Sequence, residues 1–179
     1  MWVKTMTVHT EMKKKTAADT SAMIKKMCLT GLFMAIICVA TMVIQIPIPL
    51  GYAHLGDSMI LTAVFLCGTV PGILAGGIGS ALADVITGYP IWALPTLIIK
   101  SLMPLIFAAL KKINIYLAAV VSLVFMIVAY GFAGGLIYGS MKMGIASMPG
   151  LAIKAAVNLV IFIILSFVLK PVKNKLNNM

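Results

Sequence analysis

The sequence predicts an all-α integral membrane protein with six transmembrane helices and both termini cytoplasmic. Three observations predict this. Of 179 residues, 62% are hydrophobic and only 10% are charged, against about 25% charged in an average soluble domain. The apolar residues form long runs, such as 113–136, without the alternation that barrel strands require. The lysines gather at the ends of every second run. A spanning helix needs about 20 apolar residues. Residues 25–170 therefore hold six helices, between a polar tail at 1–24 and a short tail at 171–179.

Residues 1–24 contain Lys4, Glu11, Lys13, Lys14, Lys15 and Asp19 among several threonines, and read as a solvated cytoplasmic tail. The first helix is expected over 26–45. Its apolar run of about 20 residues exceeds the usual hydrophobic region of a signal peptide, so it reads as a membrane span and not as a cleaved leader. Ile46-Pro47-Ile48-Pro49 ends it, because proline lacks an amide donor and disfavours helix before it. A loop at 47–56 follows. The second helix is expected over 57–70, with Asp57 at its positive N-terminal end. Pro71-Gly72 punctuates, and the third helix runs over 72–87 until Gly88-Tyr89-Pro90. The fourth covers 92–110 and ends at Lys111-Lys112. The fifth covers 115–138. The sixth begins at Pro149, a residue suited to a first turn, and ends at 169.

Lysine placement sets the orientation. Six lysines precede the first helix, two lie between the fourth and fifth, and three follow the sixth. With six helices these eleven all fall on one side, which the positive-inside rule makes cytoplasmic. The net charge of +10 is thus mainly a topological signal. It contains no arginine and does not describe a nucleic-acid interface.

Lys100, Lys142 and Lys154 fall outside that pattern. Lys100 is expected roughly 12 Å from the outer end of the fourth helix at 1.5 Å per residue. Lys154 is expected in the first turn and a half of the sixth. Asp84 sits near the outer end of the third. Charges inside a membrane are costly and turn toward a bundle interior, where they pair. One reading is a structural pair of Asp84 with Lys100 or Lys154. The other is a polar ligand site in the outer half, joined by Asn158 one turn below Lys154, by Ser80 one turn below Asp84, and by His54 and Asp57 at the mouth. Tyr52, Tyr89, Trp92 and Tyr138 lie on the same side. They form either an interfacial belt or a wall for a flat ring, since a pocket of aromatics with a few aimed polar groups suits a small heteroaromatic ligand.

Small residues recur at helix-packing spacing. Gly72, Gly76 and Ser80 stripe the third helix, and Gly31 and Ala35 mark the first. Such positions let backbones approach closely, within the bundle or against a partner. Gly76-Gly77-Ile78-Gly79 lacks the lysine of a phosphate loop. Cys28, Cys38 and Cys67 show no metal-pair or disulfide spacing and read as small core residues. His9 and His54 are too few for a metal site. No nucleophile, base or cofactor motif is present, so an enzyme is not expected and no cofactor is implied.

The succession Leu55-Gly56-Asp57, Gly76-Gly77-Ile78-Gly79-Ser80-Ala81-Leu82-Ala83-Asp84, Gly88-Tyr89-Pro90 and Leu97-Ile98-Ile99-Lys100 resembles the substrate-binding S components of energy-coupling factor (ECF) vitamin transporters. It is most similar to the hydroxymethylpyrimidine or pyridoxine branch, near the riboflavin-type S components. The resemblance covers about residues 25–170. It implies a six-helix bundle in the bacterial cell membrane that binds a small vitamin near its outer face. Pyridoxine or hydroxymethylpyrimidine is the first expectation; riboflavin or another B vitamin is the alternative. It also implies a transmembrane T component and two ABC-type ATPases as partners, with Gly31 and Ala35 docking on the T component. Asp84, Lys100, Lys154 and Asn158 would hydrogen-bond the vitamin, beside His54 and Asp57, and Tyr89, Trp92 or Tyr138 would pack on its ring. Pro104 is a departure, since related chains often have glycine there. A ligand-free membrane assembly subunit is the rival from another class.

Overall fold

A computed structural model describes residues 2–43, 45–48 and 51–177. The chain forms α1 (Trp2–Val43), β1 (Ile46–Ile48), β2 (Gly51–Ala53), α2 (Gly56–Cys67), α3 (Thr69–Ile86), α4 (Pro90–Leu110), α5 (Ile115–Ile137), α6 (Met141–Val168) and α7 (Lys170–Asn177). Five helices are long and apolar enough to cross a membrane: Asp19–Val43, α3, α4, α5 and α6. The sixth expected span is α2, and it differs. Its 12 residues reach about 18 Å, short of a hydrocarbon core of about 30 Å. An apolar helix of this length belongs inside a protein core, and α2 is buried along most of its length.

α2 is the axis of the bundle. Ile60 and Ala63 join Phe33 and Ile37 of α1 and Ala75 of α3 in one core cluster. Leu61 and Val64 join a second cluster with Ile99, Met103 and Phe107 of α4, Leu123 and Met126 of α5, and Phe162 of α6. Phe107 and Phe162 meet edge to face with ring centroids 5.5 Å apart. The outward faces of the long helices carry exposed Leu, Ile, Val and Phe instead, as expected where lipid is the solvent.

Glycines set the close approaches. A Cβ on Gly72 would run into Val64, and one on Gly76 would lie 3.0 Å from Ile60 and from the Lys100 carbonyl. α2 and α3 are therefore an antiparallel pair, turned at Gly68 with φ 99°. A Cβ on Gly79 would come within 2.7 Å of the Met34 carbonyl, which fixes α3 on α1. A Cβ on Gly144 would strike the Gly131 carbonyl, so Gly131, Gly135 and Gly144 bring α5 and α6 together.

Several boundaries differ from the sequence reading. α1 runs unbroken from Trp2, so the expected tail at 1–24 continues the first span as helix. The expected loop at 47–56 contains an antiparallel hairpin, with Ile46 opposite Ala53 and Ile48 opposite Gly51. Pro71 and Gly72 lie in the first turn of α3, and Gly68 makes the turn in their place. Pro149 does not start a helix. It lies inside α6, which begins at Met141, and the expected loop at 139–148 is mostly helix. Of the tail expected at 171–179, residues 171–177 are helical as part of α7, and 178–179 lie outside the described residues. α4 continues through Pro95 and Pro104. Proline at 104 cannot donate to the carbonyl of Lys100, and it is there that Gly76 lets α3 approach. The cysteines fit the core reading only in part: Cys67 is half-buried and packs against the α1–α2–α3 core cluster, Cys38 is half-buried, and Cys28 is exposed.

Candidate functional site

The interior of a bundle this apolar tolerates charges only when they are paired or hydrogen-bonded. Asp57 supplies the pairing. It sits in the first turn of α2 and is fully buried. Its Oδ1 accepts from Lys100 Nζ of α4, and its Oδ2 lies 3.5 Å from Lys154 Nζ of α6. One carboxylate thus ties three helices together. Lys100 lies ten residues into α4, about 15 Å below its start, and Lys154 thirteen residues into α6, about 20 Å below its start. Both are deeper than the sequence placed them, because α4 and α6 begin earlier.

The expected partner of these lysines was Asp84. The structure corrects this: both ion pairs go to Asp57. Asp84 is buried beside them, within electrostatic reach of both lysines and hydrogen-bonded to Thr96. Asp57 and His54 were expected at the mouth. They are instead interior, His54 only 7% exposed.

Around Asp57 the backbone of the α2 entrance is held by side chains. Asn158 Oδ1 accepts from Ser58 N–H at 2.8 Å. Its Nδ2 donates to the carbonyls of His54 at 2.8 Å and Lys154 at 2.9 Å. Asn158 therefore satisfies an orphan donor of the α2 N-terminus and anchors the chain that enters it. Gly56 N–H donates to His54 Nδ1 at 3.1 Å. His54 Nε2 lies 3.3 Å from Lys154 Nζ. Gly56 is required here, since a Cβ would collide with Thr41 and His54.

Tyr130 of α5 completes the cluster. Its ring centroid lies 5.2 Å from Lys100 Nζ and 5.3 Å from Lys154 Nζ, within cation–π range. Its hydroxyl donates to Thr96 Oγ1 at 3.0 Å. Trp92 packs on Tyr130 at 5.9 Å and on Tyr138 at 6.0 Å. The aromatics therefore form a column leading from the partly exposed Tyr138 down to the charges. Tyr89 is about half exposed at the entrance to α4. The Tyr52 side chain lies outside the described residues. Two carboxylate oxygens, Asp57 Oδ2 and Asp84 Oδ2, and the hydroxyl of Ser80 are buried without a hydrogen-bond partner among the described residues.

Gly31 and Ala35 are far from this cluster. Both are exposed on α1, and no heavy atom lies within 4 Å of a Cβ built on Gly31. They do not pack within the bundle.

The sequence profile of the family described as "ECF-type riboflavin transporter, S component" matches residues 21–171. That is most of the chain. The protein belongs to this family of S components. An uncharacterized protein of Pyrococcus woesei is 56% identical over 66 residues, a stretch covering 36% of this chain and 44% of that protein. The match thus spans less than half the length of this relative.

Sequence reasoning singled out Lys100, Lys154, Asn158, Asp57, His54, Asp84 and Trp92; in this S component the first six lie in one buried cluster, with Asp57 and His54 inside it and not at the mouth. Sequence reasoning missed Tyr130 and Thr96. Tyr130 stands inside an apolar run without a charged neighbour in sequence. Its polar hydroxyl among lipid-facing residues was the available signal, because a buried tyrosine needs a partner. Gly131, Gly135 and Gly144 also passed unnoticed, although the first two have the small-xxx-small spacing.

Proposed function

We propose that this chain is the membrane substrate-binding subunit of an ECF-type importer, and that the cluster of Asp57, Lys100, Lys154, Asn158, Asp84, His54 and Tyr130 recognises a small, flat, water-soluble vitamin. The observation that carries this reading is the buried Oδ2 of Asp84, which lacks a hydrogen-bond partner among the described residues, beside Asp57 Oδ2, which has the Lys154 ammonium at 3.5 Å but no hydrogen bond. Unmet acceptors in a low-dielectric interior cost about 1–3 kcal/mol each. A ligand bearing hydroxyl or ring N–H donors removes that cost. Lys100, Lys154 and His54 offer the complementary donors, and Tyr130 and Trp92 offer ring faces.

Riboflavin meets these requirements with its N–H, its ring carbonyls and its chain of hydroxyls. The family description favours it. Pyridoxine and hydroxymethylpyrimidine form the second reading. It is supported by how compact the cluster is, with both ammonium groups near 5 Å from one tyrosine ring. Both rings carry hydroxymethyl groups that can donate to carboxylates.

The lysines at 111, 112, 170, 173 and 175 place the C-terminal end of the bundle on the cytoplasmic side by the positive-inside rule, and the vitamin enters from the opposite face. Energy for uptake comes from a T component and two ATPases, and the exposed Gly31 and Ala35 of α1 form the face that meets the T component.

Equilibrium binding of riboflavin, pyridoxine and hydroxymethylpyrimidine to the purified full chain tests the proposal. Binding of one of them in the submicromolar range, lost in Asp84→Asn, is expected. If none of these or the other B vitamins binds more tightly than about 10 μM, the chain is a ligand-free assembly subunit and the proposal fails.

A further inference from the structure

A second set of charges lies at the opposite end of the bundle. Lys111 and Lys112 form the turn after α4, and Lys173 lies in α7. Lys111 is half-buried, and Lys173 and Lys112 lie within electrostatic reach of it. Burial and these like charges together push its pKa below the usual lysine value. Lys173 is fixed in place, with its Nζ 4.1 Å over the ring of Phe65 in α2. The ends of α2, α4 and α6 thus converge on three ammonium groups.

Among the described residues no ion pair reaches Lys111, Lys112 or Lys173. The acids are Glu11, Asp19, Asp57 and Asp84, and none follows residue 84. Among the described residues both ion pairs end on Asp57. The positive-inside rule explains lysines on this side of the membrane, but it asks only for a solvated excess. It does not explain why one of them is half-buried against two others. Like charges held together in a partly desolvated place call for an anion.

We propose that Lys111, Lys112 and Lys173 bind a phosphate group, and that the phosphate is the headgroup of an acidic phospholipid in the adjacent leaflet. The location favours the lipid source. The three lysines lie where α4 and α6 leave the apolar span, and the stacked pair Tyr116 and Phe167 lies at the same end, with ring centroids 6.3 Å apart. Such aromatics mark the depth of lipid headgroups, and basic pockets between spans on this side suit anionic headgroups. Lys173 has one side against Phe65 and presents its other N–H donors outward. The headgroup would pin α7 to the turn between α4 and α5.

The full chain is reconstituted in vesicles of mixed phosphatidylglycerol and phosphatidylcholine, and the lipid retained after extraction is identified by native mass spectrometry. Enrichment of phosphatidylglycerol is expected. Each lysine in contact with an anionic surface is worth about fivefold, so Lys111→Gln with Lys173→Gln lowers the enrichment by more than tenfold. Lys111→Arg with Lys173→Arg keeps it and shows that the fold tolerates change there. Lys170→Gln with Lys175→Gln removes the same charge from the same side. If that pair lowers the enrichment equally, the effect is general attraction and the site is refuted. Absence of enrichment in the unaltered chain also refutes it. Displacement of the retained lipid by millimolar inorganic phosphate at constant ionic strength overturns the assignment to lipid.

Discussion

Asp57 and Lys100 form one ion pair, yet their removal has different consequences. Asp57→Asn keeps the shape of the side chain and removes its charge. Lys100 and Lys154 then face each other's field in a bundle interior, with Asp84 as the remaining acid in electrostatic reach among the described residues. Stranding one partner of a buried pair costs about 3–5 kcal/mol, and here two cations lose their partner. Lys100→Met leaves Asp57 with Lys154 at 3.5 Å, so the carboxylate stays compensated and the cost falls to about 1–3 kcal/mol. For a chain of this length each kcal/mol is roughly 2–4 °C in Tm. Asp57→Asn should therefore lower Tm by on the order of 10 °C, and Lys100→Met by less than half of that. Adding Lys100→Met to Asp57→Asn removes one stranded cation. The double variant should therefore be less destabilised than the sum of the two single changes, by about 0.5–3 kcal/mol of coupling. Thermal unfolding in a mild detergent, read by loss of the monodisperse peak, measures all three. If Lys100→Met is as damaging as Asp57→Asn, or if the two changes are additive, Asp57 is not the shared counter-ion of the two lysines.

Other sites give outcomes of different kinds. Gly144→Val puts a side chain into the Gly131 carbonyl and should separate α5 from α6, costing several kcal/mol as overpacking does; unchanged Tm would show that this contact is not tight. Tyr130→Phe removes the hydroxyl and its bond to Thr96, about 1 kcal/mol, and should preserve most vitamin affinity, whereas Tyr130→Leu also removes the ring beside both lysines and should weaken binding at least tenfold. Equal affinities of the two variants would exclude the ring from recognition. Gly31→Leu with Ala35→Leu should leave binding by the isolated chain intact and abolish vitamin uptake by cells; persistent uptake would move the docking face off α1.

Much of this arrangement was legible in the sequence because membranes impose simple rules. The apolar runs and the lysine pattern indicated the long helices, and the cost of intramembrane charge singled out Asp57, Asp84, Lys100 and Lys154. What could not be read was which acid pairs with which base. Asp84 was the natural partner if every helix crosses the whole membrane, because it then lies at the depth of Lys100. That assumption failed at α2. A 12-residue helix was read as a longer one because Gly68 was passed over and Pro71 was taken as the break. The same error of scale affected α6. Proline at 149 reads as a helix start, but within a membrane a helix can continue through proline when neighbours cover the freed carbonyl. Tyr130 was lost for another reason. Periodicity shows which face a residue is on only when the faces differ, and α5 is apolar all round.

The shortness of α2 is what gives the site its depth. α1 ends at the hairpin, and a second helix spanning the full height of the bundle would have put Asp57 at that end too. The β1–β2 hairpin uses that height instead, and β2 packs against α6. α2 therefore starts partway down the bundle, at the level of the middle of α4 and α6. At that level Asp57 reaches Lys100 and Lys154 at once, and Asn158 can hold both Ser58 N–H and the His54 carbonyl. The hairpin is joined to this network through His54, the residue that follows β2. A displacement of the hairpin must strain the Asn158–His54 bond and the His54–Lys154 contact. Any ligand that enters between the hairpin and the charges therefore acts on the same few bonds that seat α2, the helix shared by both core clusters. The seating of the hairpin and the packing of α2 are thus joined through Asn158 and His54.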